Sequence, residues 1–144
     1  MASENIELQV VTPARHVLQE TVQSVEIPGK EGYLGVLPGH APLITELGIG
    51  IMAYRKGAET RYLTVINGYA EVLPDRVIVL AELSERAEEI DIARTREAQE
   101  RAQAALAKIS SGDPDWQHAS FALARAMVRL QAASKVGAAA GAHS

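Results

Sequence analysis

ERAEEIDIARTREAQERAQAALAKI, residues 85–109, decides the fold, because no stretch before it reads the same way. It is built mainly from Ala, Glu, Arg and Gln, which lose little side-chain freedom in a helix or, as Ala, have none to lose. Ser84 is the expected N-cap, with acidic residues in the first turns where the helix dipole favours them. Ser110-Ser111-Gly112 stops the run. Asp113-Pro114 reopens it, with a capping carboxylate followed by proline at a first helical position. A second helix is predicted to about Lys135, and the short loop between the two implies an antiparallel hairpin. GAAAGAHS, residues 137–144, is expected to be a flexible tail.

Upstream the hydrophobic period is two. Ile6, Leu8 and Val10 alternate with polar residues, and Val22, Val25 and Ile27 do so less cleanly. Ile49, Ile51 and Ala53 follow, then the runs Tyr62 to Ile66, Tyr69 to Leu73 and Val77 to Leu80. Asn67-Gly68 is a tight-turn signal between two of these runs, and Pro74-Asp75 marks another turn. Many short strands with no helical crossover predict an antiparallel sandwich or barrel. The expected plan is β + α: an antiparallel β-sandwich over 1–84, an antiparallel two-helix hairpin over 85–136, and the tail.

Composition removes several function classes. Apolar residues make up 47% of the chain, enough for a packed core, while aromatics are 4%, too few for base-stacking surfaces. A formal charge of -4 also argues against a nucleic-acid partner, because phosphate backbones select basic proteins. Cysteine is absent, which excludes disulfides, thiol catalysis and thiolate zinc sites. MASENIELQV shows no signal-peptide pattern, and no stretch approaches the roughly 20 apolar residues that span a bilayer, so no direct membrane insertion is expected.

The chemical motifs fail in turn. PGKEGYLGVLPGHAPL, residues 28–43, holds four glycines and three prolines, yet Lys30 is not followed by the helix-opening Ser or Thr of a phosphate loop. Gly48-Ile49-Gly50-Ile51-Met52-Ala53 matches GxGxxA in form but leads into a strand rather than a helix. His16, His40, His118 and His143 have no metal-ligand spacing, and nothing resembles a nucleophile elbow. No catalytic residue and no metal site is expected; the chain does not read as an enzyme.

The helical half is more informative. At about 100° per residue, Ala87, Ile90, Ala98, Ala102, Ala105 and Ile109 form one stripe, and Asp91, Arg94 and Arg101 fall on it. Buried charge needs partners. The second helix is apolar on two sides, Phe121, Val128 and Ala132 on one and Leu123, Met127 and Leu130 on the other. Arg125 and Arg129 stand one turn apart and suit a carboxylate or phosphate. The residues leave two readings open: Asp91 pairs with Arg94 while the other arginines are solvated, or the arginines clamp an anion.

Taken together, VVTPAR (10–15), EGYLGVLPGHAPLIT (31–45), NGYAEV (67–72), VIVLAE (77–82) and ERAEEID (85–91) resemble the epsilon subunit of bacterial F-type ATP synthases. The similarity covers nearly the whole chain. It implies a ten-stranded sandwich and a non-catalytic place in the central stalk, peripheral to the cytoplasmic face of the bacterial plasma membrane. By the same resemblance Lys30, Glu31, Gly32 and Tyr33 face the membrane rotor ring, and His40, Ala41 and Pro42 lie against the gamma subunit. Tyr33 stands where many relatives carry an acidic residue, which implies an aromatic contact with a hydroxyl instead of a salt bridge.

Some members bind ATP in the hairpin at a motif written [IL]DxxRA. Here it reads Ile90-Asp91-Ile92-Ala93-Arg94-Thr95, with Thr in the final place. Glu85, Asp91, Arg94, Arg101, Arg125 and Arg129 carry the side chains that site uses, so the resemblance implies ATP as a regulatory ligand, with no cofactor required. It further implies that an opened hairpin sets Arg125, Arg129 and Lys135 against the alpha and beta subunits and blocks ATP hydrolysis. The contrasting expectation is a stand-alone adaptor or anion-binding module of the same architecture.

Overall fold

The computed structural model describes residues 4–142, with side chains described as far as Val136. Seven strands come first: β1 (Ile6–Val11), β2 (His16–Val22), β3 (Ser24–Gly29), β4 (Gly32–Val36), β5 (Leu43–Lys56), β6 (Glu59–Leu73) and β7 (Arg76–Arg86). A 3-10 turn, Ala87–Glu89, leads to α1 (Ile92–Lys108) and α2 (Trp116–Ala142). The chain divides into two compact units between Ala87 and Glu88.

All seven strands share one hydrogen-bonded sheet in the order β2-β1-β7-β6-β5-β3-β4. Every pairing is antiparallel except β1 with β7, which is parallel and departs from the all-antiparallel expectation. That sheet doubles over on itself. Leu47 pairs with Gly68 and Ile49 with Ile66, while Gly48 and Asn67 form no rung; likewise Asn67 and Glu82 form none between Gly68·Ala81 and Ile66·Leu83.

At this line the inward residues change parity. Val77, Val79 and Ala81 are buried in β7 before it, and Ser84 after it. In β6 the core residues are Leu63 and Val65 on one side of the line and Ala70 and Val72 on the other. Since side chains alternate along a strand, such a flip means that each strand passes from one layer to the other. Each layer then holds five strand segments, in agreement with the ten strands implied by the resemblance.

Asn67-Gly68 is therefore not a reverse turn. Both residues have positive φ, +54° and +120°, which is why this pair suits a hairpin turn; here the same backbone bends a continuing strand. The reversals at the two ends of β6 are the two-residue loops Gly57-Ala58, with Gly57 at φ +64°, which the sequence reading did not pick out, and Pro74-Asp75, which it did. Residues from all seven strands fill the space between the layers, Ile6, Leu8, Ile27, Met52 and Leu63 among them with no exposed surface. At about 25 cal/mol per Å² of apolar area, this interior is the main stabilising term of the unit.

The helical unit also corrects the expectations. Ser84 is not a helix cap: it lies in β7, buried, with its hydroxyl donating to the Thr64 carbonyl at 2.7 Å. Ladder pairing with β6 holds residues 83–86 in the sheet despite their helix propensity. Asp91 caps α1 instead, its carboxylate accepting from the Arg94 amide at 3.1 Å. Asp113 accepts from the Asp115 amide at 2.8 Å in the turn before α2, which begins two residues beyond Pro114. α1 packs on α2 through the connection at 109–115.

Residues 137–142, expected in a tail, continue α2 to Ala142; four of them are alanine, the strongest helix former. Residues 143–144 lie outside the described residues.

Candidate functional site

The glycine- and proline-rich run does not form one surface. Gly29 and Gly32 close the β3–β4 turn, with Lys30 and Glu31 exposed at its tip. Lys30 Nζ reaches Glu46 Oε1 at 3.3 Å, an exposed pair of little energetic weight. Tyr33 is 58% exposed, yet its hydroxyl accepts from the Ile51 amide at 3.2 Å. Its oxygen would lie 2.8 Å from a Cβ on Gly50, so the phenol crosses β5 where only glycine leaves room. Tyr33 thus braces the turn against β5.

His40, Ala41 and Pro42 lie beyond the other end of β4, in the loop that leads into β5. His40 Nδ1 donates to the Ala41 carbonyl at 2.7 Å, and the Gly39 amide donates to Pro74 O at 2.7 Å, which ties this loop to the β6–β7 turn. The ring-facing and gamma-facing sets expected from the sequence thus lie towards opposite ends of β4, a strand of five residues or about 17 Å.

Beside that loop is a feature the sequence reading missed. On the outward face of the β1·β7·β6·β5 layer, two adjacent rungs carry a cluster of apolar side chains: Val11, Leu80 and Tyr69 on one, which ends at Glu46, and Ile78 and Ile44 on the other, on either side of Glu71 and beyond Gln9. Ile44, Tyr69 and Leu80 are 69%, 56% and 55% exposed. They line an apolar depression of about 220 Å³ with Ala70, Glu71 and Ile78. The signal was present in the unbroken apolar run Val77-Ile78-Val79-Leu80-Ala81. Such a run marks a strand covered on both faces.

In the hairpin the charged stripe is rotated from its expected place. Ala87 belongs to the 3-10 turn and Ile90 precedes the cap, so neither continues the phase of α1. The buried line of α1 is Thr95 and Ala102, flanked by half-buried Ala98, Gln99, Leu106 and Ile109. Asp91, Arg94 and Arg101 are exposed. Thr95, with no exposed surface, donates its hydroxyl to the Asp91 carbonyl at 2.7 Å. The expected pairing of the Asp91 and Arg94 charges is not among the ion pairs of the described residues; the Asp91 carboxylate bonds the Arg94 backbone amide, which any residue but proline would supply there.

On α2, Val128 and Ala132 are buried as expected, but so are Ala119, Ala126 and Ala133, and Met127 is exposed. Arg125 lies over Phe121, its Cζ 5.9 Å from the ring centroid, and Arg129 is half-buried. Glu85 stands in β7, in the first unit, with its amide donating to Thr64 Oγ1 at 3.1 Å.

Arg94 and Arg101 stand seven residues apart on α1, and Arg125 and Arg129 four apart on α2, about 10 Å and about 6 Å along their helices.

Residues 5–87 match the family described as ATP synthase, Delta/Epsilon chain, beta-sandwich domain, and residues 88–134 match its long alpha-helix domain. The chain belongs to the ATP synthase delta/epsilon family. Its family boundary coincides with the division between the two compact units. ATP synthase epsilon chain 2 of Syntrophotalea carbinolica is 45% identical over 135 residues, covering 94% of this chain and 98% of that one. The epsilon chain of Koribacter versatilis is 53% identical over 104 residues, 72% of this chain and 73% of its own.

Among solved structures, a chain of the Euglena gracilis mitochondrial ATP synthase (OSCP/F1/c-ring) superposes with a TM-score of 0.67 at 25% identity, covering 96% of this chain and 83% of that one. A chain of the Tetrahymena thermophila enzyme's central stalk/c-ring shares the fold, with a TM-score of 0.56 at 12% identity. No helix among the described residues is long and apolar enough to cross a membrane.

Proposed function

We propose that this chain is a non-catalytic central-stalk subunit of a proton-translocating ATP synthase, peripheral to the cytoplasmic face of the bacterial membrane. The observation that carries the reading is the exposed apolar face of Ile44, Tyr69 and Leu80. An outer sheet face with three large apolar side chains on adjacent rungs is built to be covered. The gamma subunit is the partner proposed for it, with His40, Ala41 and Pro42 at its margin. The β3–β4 turn, with Lys30 and Glu31 exposed and Tyr33 bracing it, is proposed to meet the polar loops of the rotor ring. The sandwich then transmits rotation and does no chemistry.

The hairpin supplies regulation. Arg94 and Arg101 lie about 10 Å apart along α1 and Arg125 and Arg129 about 6 Å apart along α2, spacings suited to an extended polyphosphate. Asp91 completes the proposed set within the hairpin by accepting from the nucleotide or orienting the arginines. ATP bound only to the folded hairpin shifts the balance towards it by mass action. With the hairpin opened, Arg125, Arg129 and Lys135 meet the alpha and beta subunits and block hydrolysis.

The test is co-purification with the gamma subunit. The native chain should be retained, and Ile44→Glu and Leu80→Glu, both at exposed positions, should each lose at least about tenfold in affinity. A chain indifferent to gamma, or charged variants that bind as well as the native one, would favour the stand-alone adaptor. Calorimetry with ATP on the native chain, Arg94→Ala and Arg125→Ala tests the hairpin separately. Heat that both substitutions weaken supports a nucleotide clamp, and no heat at millimolar ATP removes it.

A further inference from the structure

The chain passes from sheet to hairpin within a few residues, and the sheet side of that junction is held by an unusual contact. β2 carries a bulge: Val10 pairs with Leu18 and Val11 with His16, which leaves Val17 as the extra residue outside the ladder with β1. Val17 is buried, so its carbonyl needs a partner. Arg86 provides one. Its Nε and Nη2 both donate to Val17 O, at 3.2 and 3.0 Å.

Arg86 is also the last residue of β7, paired with Leu63 of β6. By then β7 has lost its other neighbour, because the ladder with β1 ends at Leu80. The side chain thus ties the free side of the strand end to β2. On the far side of the junction, Asp91 caps α1 and its carbonyl accepts from both the amide and the hydroxyl of Thr95. Between the two anchors lie Ala87, Glu88, Glu89 and Ile90.

We infer that Arg86 is a positioning residue whose paired donation to the Val17 bulge confines the pivot of the hairpin to residues 87–90. This rests on the reading above that the hairpin opens. Without the clamp, the strand end can peel back to Ser84, where the bond to Thr64 holds it, and the pivot lengthens. A longer pivot gives the hairpin a wider range of directions and a larger entropy in the open state.

Hydrogen exchange on the full-length chain tests the clamp. In Arg86→Gln the amides of 85–90 should exchange at least about tenfold faster, while those of β5, β6 and residues 96–108 keep their native rates. Unchanged exchange at 85–90 would overturn the inference. So would acceleration spread evenly through the sheet, which would make Arg86 an ordinary stabilising residue. Arg86→Lys, which keeps the charge but cannot fork two donors onto one carbonyl, should fall between the native chain and Arg86→Gln; native behaviour would rule out the paired donation.

Hydrolysis by the assembled complex separates the two readings. Altered exchange with unaltered inhibition would leave the clamp standing and refute the inhibitory role of the hairpin.

Discussion

Gly68→Ala is the substitution that puts the doubled-over sheet at most risk. Gly68 has φ +120°, and a Cβ built on it would lie 2.0 Å from the Leu80 carbonyl oxygen and 2.9 Å from the Ala81 Cα. Both obstacles are backbone of β7, held in place by the Gly68·Ala81 rung. The torsion alone costs about 1–3 kcal/mol for a residue with a Cβ. Relieving the overlap means parting two paired strands, a further 1–3 kcal/mol or so by analogy with overpacked cores. A total of about 2–6 kcal/mol is a large part of the roughly 5–15 kcal/mol that holds a domain together.

Gly57→Ala is the control. Gly57 also has positive φ, +64°, but nothing stands within 4 Å of its Cβ position, so only the left-handed torsion is charged, about 1–2 kcal/mol. Thermal unfolding of the two variants should differ by about 4 °C or more, since the overlap adds about 1–3 kcal/mol and 1 kcal/mol shifts a unit of this size by about 4–8 °C. Equal losses would mean that torsion alone selects glycine at both places, and that close strand approach at the bend has been misjudged.

Three smaller perturbations follow from single contacts. Asp91→Ala removes the cap of α1 and should cost about 1 kcal/mol, read as faster amide exchange in the first turn with the sheet unaffected. Thr95→Val keeps the volume but buries an apolar group in place of a hydroxyl satisfied within its own turn, so hairpin stability should move by less than about 1.5 kcal/mol, measured by urea unfolding. Tyr33→Phe removes the acceptor for the Ile51 amide and should lower the melting temperature by several degrees, about 1 kcal/mol. If it weakened a partner contact while leaving stability untouched, Tyr33 would be a recognition residue and not a brace.

Much of the fold was legible because composition changes abruptly where the fold changes. β1 reads as a strand from its alternation, and Pro74-Asp75 and Gly112 punctuate the chain where it turns. The errors fall where one local signal serves two outcomes. Asn67-Gly68 supplies positive φ, which a reverse turn and a layer-crossing bend both require. The choice between them is made by the β5 and β7 ladders on either side, and these are long-range pairings. Ser84 and Asp91 are both competent caps; the rungs at Ser84, Glu85 and Arg86 keep the first in the sheet and leave the second to start α1.

The site was harder to read for a related reason. Phasing the α1 stripe from Ala87 and Ile90 carried it across a junction that is not α-helical, and a small error in origin turned exposed arginines into buried ones. The outer apolar rungs went unseen because Leu80 sits between the core residues Val79 and Ala81, Tyr69 stands beside core Ala70, and Ile44 follows the exposed Leu43. Single-strand patterns do not reveal that three such positions share a face; only the register does. Arg86 is a further case. Its role depends on a bulge 69 residues earlier in the chain, and a bulge leaves no mark in the alternation of β2 except the adjacent pair Val17 and Leu18, both buried. Two consecutive inward residues in an alternating strand signal a bulge. A bulge inside a sandwich means an unpaired carbonyl, which should prompt a search for the donor that satisfies it.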